Sequence, residues 1–332
     1  MARPAGEREI IARIREKSPH RRGSLLEGIG DDCAVYRTSE NHVNLVTTDT
    51  LVEGVHFALD WHPPEVLGRK AAAVNISDIA AMGGVPRFAL LSLALSRGTE
   101  SEWLDAFLVG FLAVLGEHDV SLIGGDTVQS GQGLCLSVTI LGEIEEGRAV
   151  SRSGAAVGDL VMVSGCLGEA AAGLAICQKG WQGREEWRQL VDAHLDPVPK
   201  VALGRVLAAS GLVHAMMDLS DGLATDLAHI CAESRVGAVV RAEEIPLSAA
   251  LQDAARACGH SALDWALSGG EDYQLLFTLS EADLPGLCRL LAASGRDEAL
   301  HPVGRIVEGR GVHLEEEGDV REISYTGYEH FS

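Results

Sequence analysis

Six short segments of this sequence place an aspartate or glutamate beside glycine or small polar residues, often at the end of an apolar run. They are GIGDD (28–32), TTDT (47–50), NISD (75–78), GGDT (124–127), DLSDG (218–222) and SGGED (268–272). Any one of them is explained by turn chemistry or by helix capping, because Asp, Ser and Gly are ordinary turn and cap residues. Six such segments in one chain of 332 residues favour a fold that gathers acids at a shared site.

Asp78 is the acid that turn chemistry explains least well, because it stands inside the apolar segment 71–82. That segment lies between a pair of prolines and a pair of glycines, a pattern that predicts one helix. Asn75 and Asp78 are three residues apart and therefore share a face of that helix. An ionised carboxylate is costly to bury unless it is paired or bound to metal. Either Asp78 meets a cation, or this face is partly exposed and Asp78 is solvated.

Oxygen ligands are also concentrated around Asp49, which follows the strand-like run 43–46 and is flanked by three threonines. Carboxylate and hydroxyl oxygens are hard ligands, and several of them converging with few lysines nearby suit Mg²⁺. Two or more such ions would also hold the β- and γ-phosphates of ATP. Ca²⁺ is the alternative ion, although the sequence lacks the spacing of an EF-hand.

Common nucleotide-binding motifs are missing from the sequence. It contains neither a GxxxxGK(S/T) loop nor the protein-kinase motif set. The turn GCLG at 165–168 precedes a predicted helix and could offer backbone N–H groups to a phosphate. A tight strand–helix turn explains that segment equally well.

Strand and helix signals alternate along the chain. Helices are predicted over 5–17 and 101–118, and strands over 88–95 and 120–123, the last ended by the glycines at 124 and 125. The pattern restarts after SRSG (151–154) with a strand over 159–164 and a helix over 168–178. We therefore predict two domains, 1–150 and 151–332, of mixed α/β or α+β class.

Charge and cysteine content limit the partners and the compartment. The formal net charge is −21, and so acidic a protein lacks the basic patches that nucleic acid and anionic membranes require. A phosphorylated substrate stays compatible if metal ions intervene. The seven cysteines include no CxxC pair, and neither an apolar run of 18 residues nor an apolar N-terminal segment is present. We expect a cytoplasmic protein with no membrane span and no signal peptide.

The acidic segments, in this order, resemble those of the thiamine-monophosphate kinases. The resemblance rests on GIGDDCAV, TTDTLVEGVHF, KAAAVNISDIAAMGG, LIGGDT, SRSGAAVGD, DLSDGLATDL, ALSGGEDYQLLF and GYEHF, and it spans about 28 to 331. A broader superfamily shares part of the pattern: aminoimidazole-ribonucleotide synthetase, selenophosphate synthetase and a hydrogenase maturation factor. The resemblance implies a two-domain fold of the aminoimidazole-ribonucleotide synthetase type. It also implies a homodimer paired through the N-terminal halves, with ATP near the interface.

The resemblance also implies the reaction ATP + thiamine monophosphate → thiamine diphosphate + ADP, and a role for individual residues. Matching residue by residue, the implied magnesium ligands are Asp32, Thr47, Thr48, Asp49, Asp78, Asp126, Asp218 and Asp221. The implied ATP contacts are Gly125, Asp126, Arg152 and Ser220, and the implied thiamine contacts are His56, Glu271 and Tyr328. Asp49, Asp126 and Arg152 would be catalytic, and Asp31 ranks below its neighbour Asp32 as a ligand.

The chemistry of the acceptor indicates a mechanism. A phosphate oxygen is already anionic at neutral pH, so we expect direct in-line transfer with no phosphoenzyme, driven by positioning and charge neutralisation. One alternative is another ATP enzyme of the superfamily. The first 32 residues contain no cysteine of the kind selenophosphate synthesis uses, and the chain ends in HFS rather than in the cysteine of the hydrogenase maturation factor. The other alternative is a nucleotide- or metal-binding regulator without catalysis.

Overall fold

The structure, a computed structural model, describes residues 25–27, 31–37, 41–295 and 298–328. The helix predicted over 5–17 lies outside the described residues, as does the end of the GYEHF motif.

The first half of the chain forms a six-stranded sheet with two helices. Its strands follow the order β1-β2-β3-β6-β4-β5, and all neighbours are antiparallel except β4 and β5. The strands are β1 Leu25–Glu27, β2 Ala34–Arg37, β3 His42–Val52, β4 Val85–Ser96, β5 Ser121–Ser130 and β6 Cys135–Glu145. The helices are α1 Pro64–Ala81 and α2 Ser101–Glu117.

The second half forms a seven-stranded mixed sheet in the order β13-β12-β9-β11-β7-β10-β8, in which only the described pair β9 and β12 is parallel. Its strands are β7 Leu160–Val163, β8 Val213–Asp218, β9 Gly237–Arg241, β10 Leu275–Leu279, β11 His301–Val307, β12 Gly311–Glu316 and β13 Asp319–Glu322. Its helices are α3 Glu169–Gln178, α4 Arg188–Leu195, α5 Val201–Ser210, α6 Leu223–Ser234, α7 Ala249–Cys258, α8 Ala262–Ser268 and α9 Leu284–Ala293, with 3₁₀ turns at Glu185–Trp187, Ala242–Glu244 and Glu281–Asp283.

Helix α1 is the element that joins the two halves. It starts at Pro64, whose ring presets a helical φ and whose missing N–H costs nothing at the first turn. It ends just before Gly83-Gly84, as predicted, and it is buried on nearly every side. Its Ile76 belongs to the same apolar core as Leu136 of β6 and Phe277 of β10, so α1 lies between the two sheets.

The mixed α/β class predicted from the sequence is confirmed by this arrangement of sheets and helices. The domain boundary near residue 150 stays a prediction, because the largest core takes side chains from both sides of it. Among the described helices, none has the combination of length and apolar character that crossing a membrane requires.

Two predicted strands differ from the observed ones. The strand predicted over 88–95 is confirmed within β4, but its expected burial is wrong on one face, because buried residues alternate with partly exposed ones and Phe88 is 46% exposed. Strand β5 continues through the glycines at 124 and 125 because it pairs in parallel with β4. Gly125 has φ +151°, and a Cβ there would lie 1.8 Å from the Leu91 carbonyl oxygen, so this close pairing needs glycine.

Candidate active site

Three aspartates from distant parts of the chain meet between the two sheets. Asp32 precedes β2, Asp78 lies near the end of α1, and Asp218 is the last residue of β8. Each offers one carboxylate oxygen, and these oxygens lie within 4.8 Å of one another. The expected gathering of acids therefore occurs, at the point where α1 passes the end of β8.

Hydroxyl and amide groups orient this cluster. Thr47 Oγ1 of β3 donates to Asp78 Oδ2 at 2.5 Å, and Ser77 Oγ donates to Asp218 Oδ2. Asn75 Oδ1 accepts a hydrogen bond from the backbone N–H of Asp49 at 2.9 Å. Asn75 and Asp78 do share a face, and that face is turned toward β3.

The carboxylates raise one another's pKa. Asp218 is 2% exposed, and its burial, followed by the charge of Asp32, raises its pKa to about 7. Burial, followed by the charges of Asp49 and Asp218, raises the pKa of Asp78 well above its usual value. The pKa of Asp49 is raised by burial of the carboxyl and by Asp32, although part of its side chain reaches solvent. A bound cation would relieve this repulsion.

Arg152 is the cation nearest to the cluster within the described chain. Its Nη2 donates to Asp32 Oδ1 at 2.6 Å and its Nε donates to Asp32 Oδ2 at 3.3 Å, a two-point contact that suits guanidinium and carboxylate. Asp31 Oδ2 accepts a hydrogen bond from the Arg152 backbone N–H at 3.1 Å. Burial, followed by the charge of Asp32, raises the pKa of Asp31 to about 7. Asp31 therefore anchors the segment that carries Arg152.

A second group of predicted site residues is joined through the loop after β8. The backbone N–H of Glu271 donates to the Ser220 carbonyl at 2.8 Å, and that of Tyr328 donates to the Asp221 carbonyl at 3.1 Å. Asp226 Oδ2 accepts a hydrogen bond from the Asp221 backbone N–H at 3.1 Å. Three separate segments thus hold this loop in one conformation.

Asp226 is a buried acid that the sequence argument missed. It is 1% exposed, and burial, followed by the charge of Asp221, raises its pKa well above the usual value. Its signal was present, since it stands in the DLSDGLATDL segment among apolar residues of a predicted helix. We read it as a support of the loop.

Lys70 and His194 were missed as well. Lys70 Nζ lies 2.7 Å from Glu271 Oε1, and His194 Nδ1 lies 2.9 Å from Glu271 Oε2. A lysine inside an apolar helix was the available signal for the first of them. His56 is another of the predicted thiamine contacts. It lies in the turn after β3, where its Nδ1 accepts a hydrogen bond from the Val52 N–H at 3.0 Å.

Asp126 lies apart from the three aspartates. It stands opposite Ser92 on β4, which stands opposite Ser137 on β6. Ser137 in turn stands opposite Thr50 of β3. Residues directly opposite one another point to the same face of a sheet, and neighbours along a strand point to opposite faces. Asp126 therefore shares a face with Thr50, whereas Asp49 points to the other face.

Thr48 is on the same face as Asp126, because its Oγ1 accepts a hydrogen bond from Thr139 Oγ1 at 3.0 Å across the sheet. The described structure thus brings five of the eight predicted ligands to one side of the sheet: Asp32, Thr47, Asp49, Asp78 and Asp218. All eight stay predictions as magnesium ligands, and Thr48, Asp126 and Asp221 are the three that the structure does not bring to this side.

The turn at 165–168, considered above as a phosphate-binding turn, has an internal acceptor. Asp272 Oδ2 accepts a hydrogen bond from the Gly168 N–H at 2.6 Å, and its Oδ1 accepts one from the Ala170 N–H at 3.1 Å. These groups form the N-terminus of α3, where a carboxylate is stabilised. The tight-turn interpretation is therefore the correct one for these two N–H groups.

We expect Asp272→Ala to lower the free energy of unfolding by about 2 kcal/mol, because two backbone N–H groups lose their acceptor. Urea unfolding of the variant and the wild type measures this difference. Asp105→Ala, a change at an exposed position of α2, is the matched control and should shift stability by no more than about 0.5 kcal/mol. Equal stability of all three proteins would contradict the assigned cap.

Comparison with known proteins agrees with the fold and the motif order. The family model described as AIR synthase related protein, N-terminal domain, matches residues 30–144, and the corresponding C-terminal domain matches residues 156–316. The thiamine-monophosphate kinase of Salmonella typhimurium is 38% identical over 330 residues, which cover 98% of each chain.

Solved structures of related proteins have the same fold. The structure entitled "AaThiL complexed with AMPPCP and TMP" superposes with a TM-score of 0.85 at 33% identity, covering 98% of this chain and 97% of that one. E. coli HypE, a hydrogenase maturation protein, gives a TM-score of 0.69 at 21% identity over 85% of both chains, a likeness of fold alone. By sequence identity over its full length, this chain belongs to the thiamine-monophosphate kinase family, within the AIR synthase related proteins.

Proposed function

We propose that this chain transfers the γ-phosphoryl group of ATP directly to thiamine monophosphate, giving thiamine diphosphate and ADP. The observation that carries this proposal is the cluster of Asp32, Asp78 and Asp218, whose oxygens lie within 4.8 Å of one another. It occurs in a chain 38% identical to a thiamine-monophosphate kinase. The relative whose structure holds an ATP analogue, AMPPCP, and TMP supports the choice of substrates.

The donor set of the cluster fits magnesium. Thr47, Asp49 and the three clustered aspartates all offer oxygen, the donor type that Mg²⁺ prefers, and the raised pKa of Asp218, about 7, marks a site where negative charge exceeds the positive charge that Arg152 supplies. We assign Asp32, Asp78 and Asp218 to hold Mg²⁺, with Asp49 and Thr47 beside them. When bound, Mg²⁺ would neutralise charge on the phosphate oxygens of ATP and of the acceptor.

Arg152 adds a fixed positive charge at the same place. Its guanidinium forms a planar fork that matches phosphate oxygens as well as carboxylates, and it is held at the cluster by Asp32 at 2.6 Å. We assign it to the transferring phosphoryl group. The remaining assigned ATP contacts are Gly125, Asp126 and Ser220.

The transfer itself needs little from the side chains beyond position. A terminal oxygen of thiamine monophosphate attacks the γ-phosphorus, the bond from that phosphorus to the β,γ-bridging oxygen breaks, and the electron pair leaves with ADP. Because the attacking oxygen is already anionic, no side chain has to remove a proton. Asp49, Asp126 and Arg152 then act on charge and alignment, and no phosphoenzyme forms.

The thiamine part of the acceptor is assigned to His56, Glu271 and Tyr328. Glu271 and Tyr328 are both tied to the loop of Ser220 and Asp221 through backbone hydrogen bonds. That connection supports an acceptor site next to the ATP contact Ser220. A flat pyrimidine ring and a cationic thiazolium suit an aromatic face and polar groups.

The exposed edge of the first sheet supports a homodimer. Strand β5 is exposed along nearly its full length and carries Leu122, Ile123 and Val128. An apolar edge strand left open invites pairing with another chain, so we assign this strand to the contact between two copies.

The seven cysteines are free thiols, which supports a reducing, cytoplasmic setting.

Purified protein with ATP, Mg²⁺ and thiamine monophosphate should form thiamine diphosphate, measured by chromatography, and EDTA should abolish the product. Release of ADP only with another phosphate acceptor would keep an ATP enzyme and discard thiamine monophosphate as the substrate. Absence of ATP turnover under all of these conditions would instead favour a nucleotide- or metal-binding regulator.

A further inference from the structure

Lys70 is a fully buried lysine that the transfer reaction does not use. It lies on α1, eight residues before Asp78, and its side chain is 0% exposed. Its Nζ lies 2.7 Å from Glu271 Oε1 and donates to the His194 carbonyl oxygen at 3.0 Å. A buried ammonium group is stable only when it is paired and hydrogen-bonded. Lys70 and Glu271 therefore form a fixed ion pair between α1 and the segment before β10.

Two histidines lie next to this ion pair: His194 contacts Glu271, and His62 packs against His194. His194 Nδ1 lies 2.9 Å from Glu271 Oε2. His62 packs edge-on against His194, with ring centroids 5.5 Å apart. Burial, followed by the charge of Lys70, lowers the pKa of both rings, that of His62 to about 3. Both histidines are therefore neutral at pH 7, and Lys70 supplies the positive charge.

Glu271 itself is held in an uncommon conformation. Its φ is +70°, in the left-handed region that residues other than glycine rarely occupy. Its N–H is bonded to Ser220 at 2.8 Å, and its side chain stays 24% exposed. Strain of this kind persists where the surroundings fix the residue, and it collects at ligand sites. The ion pair with Lys70 is one of the contacts that fix it.

The charge balance of this group decides what Glu271 can recognise. Its negative charge is matched by Lys70 at 2.7 Å, so the group as a whole offers little attraction to a cation. A carboxylate has about four lone-pair positions, and those not directed at Lys70 and His194 remain to accept hydrogen bonds. The group is thus suited to accept a hydrogen bond from a neutral donor.

We propose that Lys70 is a positioning residue that holds Glu271 ionised and fixed, so that Glu271 accepts a hydrogen bond from the amino group of the thiamine pyrimidine rather than attracting the thiazolium charge. This inference rests on the function proposed above. Lys70 would then influence which substrate is selected, because it fixes Glu271 and Glu271 contacts the substrate.

The test compares KM values of Lys70→Met and the wild type. Without its partner, Glu271 takes up a proton or turns away, so KM for thiamine monophosphate should rise about 10- to 100-fold, as expected for loss of a hydrogen bond to a charged group. KM for ATP should stay unchanged. A carboxylate that attracted the thiazolium would predict the opposite sign, because removing Lys70 would strengthen that attraction. Lys179→Met, at an exposed position after α3, is the matched control with wild-type KM values.

A second experiment uses an analogue of thiamine monophosphate that carries hydrogen in place of the pyrimidine amino group, and compares its kcat/KM with that of the natural substrate. The wild type should prefer the natural substrate by about 10-fold or more in kcat/KM, and Lys70→Met should lose that preference. If Lys70→Met does not fold, Lys70→Gln replaces it, because its amide can still donate a hydrogen bond in the buried site but lacks the charge that holds Glu271 ionised, and the same loss of preference is expected. A preference retained in either variant, or a wild type that uses both compounds equally, overturns the inference.

These outcomes separate the inference from the function on which it rests. A wild type that turns over ATP but never phosphorylates thiamine monophosphate removes both. Normal wild-type turnover, together with a folded Lys70→Met variant whose KM for thiamine monophosphate is unchanged or lowered, removes the inference alone.

Discussion

Asp78→Asn is expected to lower the turnover of thiamine monophosphate by about a thousandfold, the order of effect seen when charge stabilisation at a transferring group is removed. Asparagine has nearly the same shape and can still accept the hydrogen bond from Thr47 Oγ1. The change therefore removes one negative charge and leaves the packing of α1 intact. Because Asp78 is assigned to hold Mg²⁺, raising the Mg²⁺ concentration should restore part of the lost activity.

Although Asp78→Asn should lose turnover, its folded state should be more stable than that of the wild type. Burial and the charges of Asp49 and Asp218 raise the pKa of Asp78 in the folded chain, so at pH 8, where an aspartate of the unfolded chain is ionised, this carboxyl opposes folding. In EDTA at pH 8, Asp78→Asn should raise the free energy of unfolding by about 1–3 kcal/mol, as substitutions that relieve strained active sites do. The gain should shrink toward pH 4, because the unfolded chain then also binds the proton that the folded chain already holds at Asp78.

Urea unfolding at the two pH values, together with steady-state kinetics, measures both effects. Asp105→Asn on the exposed face of α2 is the control for loss of one negative charge. An Asp78→Asn variant that keeps more than a third of the wild-type turnover would show that this carboxylate does not hold the catalytic metal. A variant less stable than the wild type in EDTA at pH 8 would show that the cluster is not repulsive.

Arg152→Met is expected to reduce kcat by about a thousandfold, the lower end of the range found for arginines that stabilise a transferring phosphoryl group. Methionine retains much of the apolar stem but loses the guanidinium that contacts Asp32 at 2.6 Å. The Asp31 contact uses the backbone N–H of residue 152, so the segment itself should stay anchored. The main loss is therefore in the chemical step.

Single-turnover kinetics at saturating ATP and thiamine monophosphate isolates that step. Arg188→Met removes an exposed arginine whose ion pairs lie on the surface of α4, and it should leave kcat unchanged. Arg152→Lys should recover only part of the activity, because lysine offers a point charge without the planar fork. If Arg152→Met retains kcat within about threefold of the wild type, a value too small for loss of a transition-state contact, Arg152 has no role in the transfer.

Helix α1 was predictable because its boundaries depend on local signals. The prolines before it and the glycines after it mark both ends, and the observed helix is Pro64–Ala81. The start of strand β5 was predictable, but its continuation beyond residue 123 was not, because glycine disfavours strands in isolation and only the parallel pairing with β4 carries the strand through 124 and 125. That pairing joins residues far apart in sequence and leaves no periodic signal.

The three-aspartate cluster was foreseeable from the cost of Asp78 in an apolar helix, and it is the part of the site that the structure brings together. The face on which Asp126 lies could not be foreseen, because strand register decides it. The pairing of Lys70 with Glu271 joins residues 201 positions apart (271 − 70). Both residues lie in motifs quoted above, but nothing in those motifs indicates that the two side chains pair, so only the folded chain reveals it.

Crystals of the full chain grown with Mn²⁺, AMPPCP and thiamine monophosphate test the central claim most directly, because Mn²⁺ replaces Mg²⁺ and scatters anomalously. We expect an anomalous peak in contact with the carboxylates of Asp32, Asp78 and Asp218, beside the phosphates of the analogue and near the Arg152 guanidinium. Bound analogue whose Mn²⁺ ions touch none of these three aspartates would contradict it.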